Sequence, residues 1–395
     1  MHHPMSDNVF CFIPYPPVEV PHAAHGPLAG VRMAVKDIYD VAGYPSSWGN
    51  PHVLAMSGIK TRTAPAIAAL LAAGAQMVGK TVTDELAFSM TGKNAHFGMP
   101  RNGAAPDRIP GGSSSGSASA VANGLCDLAI GSDTGGSVRC PASHNGILGI
   151  RPTHGRIALD GCMALAPSLD TLGWFARDMD VFAAVADVLL GEDSAPLPAT
   201  PRLLVAQDVL ATLDAAVGDA FATQLAQLCT HLGVSAQPVD AWLMPPEQLY
   251  WAFRFIQGYE AWQSHGALIA HYGLQLGPGV RERFEWSRGI SASDVEPHHR
   301  LRVEFSRAID ALLGQDGVLL MPTMPQVAPL AASDDAAHED YRNQSIRQLC
   351  VAGLAKLPQI SLPVMAIEGV PLGLSLIGPR GSDRSLVKLA KRIYH

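Results

Sequence analysis

The chain has 395 residues, 48% of them hydrophobic and 16% charged, against about 25% charged in an ordinary globular protein, which fits a compact globule with a large core and not a disordered chain. Its 28 Lys and Arg against 35 Asp and Glu leave a formal net charge of −7, which excludes the phosphate neutralisation that nucleic-acid binding rests on. The first basic residue is Arg32, and no apolar run approaches the roughly 18 residues of a membrane span, so the sequence reads as cytoplasmic, with no leader and no membrane contact.

In chain order, the Pro- and His-rich first thirty residues read as an irregular surface arm. Residues 31–35 read as a short buried strand and 61–79 as one helix closed by Gly79. Serines after a Gly pair start a helix near 113–115, and the i, i+3, i+4, i+7 spacing of Ala118, Val121, Ala122 and Leu125 carries it toward Gly124. Strands follow at 125–132 and 146–150, then a Pro-rich connection at 191–202. The next hundred residues look mainly helical, with helical spacing over 215–232 and most of the aromatics in 247–272. Strands return at 318–321, 359–364 and 372–377, before a terminal helix from Asp383. Helices set between early and late strands predict an α/β fold with one sheet and a helical cap.

The chemistry concentrates in 110–139, PGGSSSGSASAVANGLCDLAIGSDTGGSVR, which is dense in Ser and Gly. A helix of ten residues advances about 15 Å, and a strand of four or five residues runs back a similar distance. Ser113 and Ser137 can therefore lie side by side at the carboxyl end of the strands, where open α/β sheets bind ligands. Lys36, just past the first strand, projects from the same kind of edge. Two serines and a lysine beside Gly-rich backbone form a constellation for acyl transfer.

At these residues the sequence resembles the amidase signature family: GGSSSGSASAVANG from Gly111, GSDTGGSVRCPA from Gly131, AVKD from Ala34, and the 24-residue spacing from Ser113 to Ser137. Flanking segments such as TGKNAHFGMPRNGAAPDRIP and LGIRPTHGR, and the late GVPLGLSLIG, are similar too, so the resemblance runs from about Pro27 to the end. It implies a central mixed β-sheet sandwiched by helices, with an inserted helical cap. Residues 1–395 would form a single domain, divided into a signature core (31–190), a mainly helical region (200–312) and returning strands with a terminal helix (313–395). Ser137 would be the nucleophile, Ser113, after a cis peptide, the bridge, and Lys36 the neutral base. Lowering a lysine by two units from its usual 10.4 costs about 2.7 kcal/mol, within reach of burial. The backbone of Thr134, Gly135, Gly136 and Ser137 would stabilise the oxyanion, Asp133 and Arg139 would pair to hold that loop, and the Ala87 backbone would contact substrate. No cofactor and no metal are implied.

Within the family the chain looks most like the compact group of indole-3-acetamide hydrolases, which makes an aryl-acetamide the expected substrate and ammonia or an amine the other product. A glutaminase-type subunit of an amidotransferase and a non-catalytic amidase-like scaffold stand as alternatives, and a homodimer stays open. Competing motifs fail on context. Gly112–Gly116 fits G-x-S-x-G with Ser114 as nucleophile, but a polar turn precedes it where a strand is needed. Ser57–Lys60 and Ser385–Lys388 match S-x-x-K without a K-T-G. The histidines, His2, His3, His22 and His25 among them, form no metal-ligand pattern, and His96 and His144 flank the motifs as pocket or core residues. Trp48, Trp251, Phe253, Phe255, Tyr259 and Trp286 read as core before pocket. Six scattered cysteines without a CxxC pair read as reduced thiols.

Overall fold

The structure, a computed structural model, describes residues 9–394; His2 and His3 lie outside the described residues. The first part of the chain forms β1 (Arg32–Lys36), α1 (Pro51–Ser57), α2 (Pro65–Ala72), β2 (Gln76–Thr81), α3 (Ser115–Ala122), β3 (Leu128–Asp133), α4 (Arg139–Asn145), β4 (Leu148–Arg151), β5 (Thr171–Ala176) and α5 (Met179–Leu189). Then come β6 (Arg202–Ala206), α6 (Gln207–Leu210), α7 (Ala215–Leu232), β7 (Ala236–Val239), α8 (Pro246–Tyr272), α9 (Val280–Arg288) and α10 (Ala292–Leu313). The chain finishes with β8 (Gly317–Pro322), α11 (Asp335–Ala355), β9 (Gln359–Ile367), β10 (Val370–Ile377) and α12 (Asp383–Ile393).

All these strands join one mixed sheet in the order β2-β1-β3-β5-β4-β9-β10-β8-β6-β7. β1 runs parallel to both β2 and β3, and β4 pairs antiparallel with β9, with Ile150 opposite Ile360, so strands from both ends of the chain meet in mid-sheet. Every residue of β3 is buried, as expected for a strand covered on both faces. Among the described residues no helix is long and apolar enough to cross a membrane.

The expected α/β architecture holds, with local differences. The single helix expected over 61–79 is instead α2 followed by β2. Pro65 fixes the first turn of α2, and Gly74, at φ +102, turns the chain where an L side chain would be strained. β6 and β7 lie inside the stretch expected to be helical; they extend the sheet beyond β8 through parallel pairings that leave no short-range signature. The arm stays irregular but is pinned to the free edge of β2, where the Ile13 N–H donates to the Lys80 carbonyl at 2.9 Å.

Candidate active site

Because β1 and β3 are parallel, with Val35 opposite Ile130, their carboxyl ends open on the same edge. Lys36 ends β1 and is fully buried; its Nζ donates to Ser113 Oγ at 2.8 Å and to Ser132 Oγ at 2.9 Å. The Ser113 carbonyl accepts from the Asp84 N–H at 3.1 Å and the Thr83 hydroxyl at 3.0 Å, which fixes the backbone ahead of α3. The Gly112–Ser113 peptide is cis. Gly112 has no side chain to spare, since a Cβ there would strike the Asp84 carboxylate. Ser114 Oγ donates to the Ser132 carbonyl at 3.1 Å and accepts the Ser132 N–H at 3.2 Å, so this hydroxyl stitches the entrance of α3 to β3.

Ser137 lies beside this group: its carbonyl accepts the Ser114 N–H at 3.3 Å, and the residue is 5% exposed. The structure thus brings Lys36 and Ser113 into contact and places Ser137 next to them, its hydroxyl unengaged by Ser113 or any other described group. Ser132 was missed by sequence reasoning. The signal was present, because it ends the strand expected over 125–132, on the edge already assigned to Lys36.

The loop after β3 is held by buried charge. Arg139 grips Asp133 in a fork, Nε to Oδ2 at 3.0 Å and Nη2 to Oδ1 at 2.8 Å, and Arg151 adds Nη1 to Oδ1 at 3.1 Å. Burial works against the Asp133 charge, yet Arg139 and Arg151 outweigh it and hold the carboxyl well below the usual carboxylate range. Arg139 also donates to the Leu349 carbonyl at 2.8 Å and to Gln359 Oε1 at 2.6 Å. Asp133 takes the Gly136 N–H at 3.0 Å and the Val138 N–H at 3.0 Å. Of the expected oxyanion donors, Gly136 is therefore already occupied; the N–H groups of Gly135 and Ser137 meet no acceptor among the described residues. Thr134 is anchored through its hydroxyl to Asp170 Oδ1 at 2.5 Å.

Burial pulls Lys36 down from 10.5 to about 8, against the opposing pull of Asp84. Asp84 is itself pushed up by burial, an effect opposed by the Gly92 N–H that it accepts at 3.0 Å.

Ser137 lines a narrow cleft with Gly135, Ala87, Phe88, Met90 and Phe253, and its free volume of about 10 Å³ is room for one water. Leu86 and Ala87 both carry positive φ, 48° and 56°, a strained backbone of the kind that gathers at functional sites. Of the six aromatics named above, Phe253 alone lines the cleft. A larger cavity of about 540 Å³ lies between the arm and β2, and none of Lys36, Ser113 or Ser137 lines it. His96 faces that cavity and pairs with Glu85 at 2.9 Å, while His144 is buried against the Tyr341 hydroxyl at 2.8 Å and pulled down to about 3 by burial. Among the described residues no three His, Cys, Asp or Glu side chains gather as a metal site.

The family model Amidase matches residues 18–225 and 276–387. Amidase 1 of Arabidopsis thaliana is 36% identical over 390 residues, covering 92% of this chain and 92% of that protein. The chloroplastic Outer envelope protein 64 of the same plant is 32% identical over 403 residues, covering 96% of this chain and 68% of that protein. A solved structure described as an amidase superposes with a TM-score of 0.83 at 30% identity, covering 93% of this chain and 85% of the other. With these matches in agreement, the chain belongs to the amidase signature family of C–N hydrolases.

Proposed function

We propose that this protein hydrolyses a small carboxamide to the acid and ammonia or an amine through Ser137, Ser113 and Lys36. The observation that carries the reading is the fully buried Lys36–Ser113 contact of 2.8 Å, with the lysine lowered to about 8, beside a serine whose hydroxyl has no competing partner. A neutral Lys36 accepts a proton from Ser113 as Ser113 accepts one from Ser137, and Ser137 Oγ bonds to the amide carbon. The N–H groups of Gly135 and Ser137 are open to the developing oxyanion. Collapse of that intermediate breaks the C–N bond while Ser113 gives a proton to the departing nitrogen and takes one back from Lys36, which is neutral again. Water then attacks the acyl-enzyme, with Lys36 again taking the proton, and releases the acid. Ser132, 2.9 Å from Lys36 Nζ, holds that amine in place and acts as a positioning residue.

The apolar side chains of Phe88, Met90, Phe253 and Ile346 line the cleft and favour an apolar acyl group such as that of indole-3-acetamide, for which the cleft has to widen beyond its room for one water. The test needs no known substrate: a fluorophosphonate probe is applied and the adduct located by peptide mass spectrometry. The expected adduct is on Ser137, lost in Ser137→Ala and Lys36→Ala. An adduct on Ser114, or none at all, overturns the reading.

A further inference from the structure

One charged group in the cleft has no part in that mechanism. Arg342, on α11, is 4% exposed and lines the cleft with Ser137 and Gly135. A guanidinium offers five N–H donors. Among the described residues Arg342 uses one, Nη1 to Glu339 Oε1 at 3.0 Å. The other Glu339 oxygen is taken by Arg283 Nη2 at 2.8 Å. A third guanidinium, Arg254, bonds to the Tyr250 hydroxyl at 2.7 Å and stacks over the Trp286 ring at 5.1 Å, and its charge also acts on Arg342. Two guanidiniums thus bond to one carboxylate, and a third adds its charge nearby. Burial first, then Arg283 and Arg254, pulls Arg342 down to about 9, so it carries its charge at neutral pH without full compensation.

A second, independent observation lies in the same cleft, which Gln257 also lines. Gln257 is 6% exposed, and its Oε1 is buried without a hydrogen-bond partner. Buried polar atoms are nearly always paired, and the exceptions call for an explanation. An under-used guanidinium and an orphaned amide oxygen beside one serine are what a bound molecule with an anionic end and an N–H would complete.

Resting on the amidase reading above, we propose that the substrate is an amide whose acyl part carries a carboxylate, seated on Arg342 with the scissile carbonyl at Ser137. Gln257 Oε1 then accepts an N–H of the scissile amide. The carboxylate supplies the planar pair of acceptors that a guanidinium fork fits best, and exclusion of water from so narrow a cleft strengthens that contact. The apolar wall and the cationic end are compatible with aliphatic half-amides of dicarboxylic acids and with carboxylated aryl-acetamides alike.

The test is ammonia release from matched pairs: succinamate against butyramide, and 4-carboxyphenylacetamide against phenylacetamide. The expected result is a kcat/KM at least roughly 30-fold higher for the carboxylated member, carried mainly by KM, as for a charge-assisted contact. Arg342→Gln brings that ratio toward one, and Arg342→Lys restores part of it. Should the variants fail to fold, the wild-type ratio decides alone, backed by protection of Ser137 from the fluorophosphonate by succinate but not by butyrate. Equal handling of both members by an enzyme that labels at Ser137 overturns this substrate class while leaving the amidase reading intact. Failure of Ser137 to label overturns both.

Discussion

Lowering the pH is the perturbation that tests Lys36 most directly. With the group at about 8, the neutral fraction is about half at pH 8, about a tenth at pH 7 and about a hundredth at pH 6. The rate of fluorophosphonate labelling at Ser137 should follow that fraction, falling about a hundredfold from pH 9 to pH 6, or about 2.7 kcal/mol in apparent barrier. Stability follows the same group. Below about 8 the lysine is charged in the folded and unfolded chain alike, and the burial penalty is present in full. Between about 8 and 10.5 only the unfolded chain holds the proton, so this lysine's contribution to stability rises with pH, by up to about 3 kcal/mol. Labelling at several pH values, paired with urea unfolding over the same range, reads both. A labelling rate that is flat from pH 6 to pH 9 would refute a neutral Lys36 as the base.

Asp133→Asn leaves the fully buried Arg139 and Arg151 without their carboxylate and should cost about 3–5 kcal/mol, read as a lower Tm in calorimetry; an unchanged Tm would contradict the ion-pair account of the loop. Gly112→Ala forces a Cβ into the Asp84 carboxylate, so labelling at Ser137 should fall by about a hundredfold, an effect of misplaced geometry that near-normal labelling would sink. Ser114→Ala removes a hydroxyl that serves only the β3 backbone, so Ser137 should still label, within about 3-fold, with a stability loss of about 1 kcal/mol by urea unfolding. Asn50→Ala deletes the cap of α1, which accepts from the His52 and Val53 N–H groups, and the bond to Glu85; a loss of about 1–2 kcal/mol is expected by the same method.

The parts of the fold that were legible in the sequence are those written locally. Period-3.6 spacing located α7, the aromatic-rich stretch 247–272 of the region read as mainly helical falls within α8, the start of α12 fell at Asp383 as expected, and the late strands fell within β8, β9 and β10. Helix-then-strand arithmetic put Ser113 and Ser137 on one edge, and their backbones do meet there. What was not legible depends on partners distant in sequence. β6 is a strand by virtue of pairing with β8, more than a hundred residues away, and β7 by virtue of pairing with β6. α11 shows no amphipathic stripe because every residue from Gln348 to Ala355 is buried, so no periodic signal distinguishes it. Arg342 enters the cleft from that helix and could not be found from the serine motifs. Nor does any motif show that Asp133 already claims the Gly136 N–H, since that bond depends on the turn closing back on the end of β3.

The grip of Arg139 on Leu349 and Gln359 has a bearing on how the protein comes into being. Both anchors lie more than two hundred residues after the nucleophile loop, on α11 and at the start of β9. A chain still emerging from the ribosome holds all three proposed catalytic side chains long before it holds the carbonyl and amide that aim Arg139 at Asp133. Until the last strands enter the middle of the sheet, the loop that carries Ser137 has an inner clasp and no outer one. In the finished fold the loop that carries Ser137 is thus clasped twice, by Asp133 from its own end and by α11 and β9 from the far end of the chain.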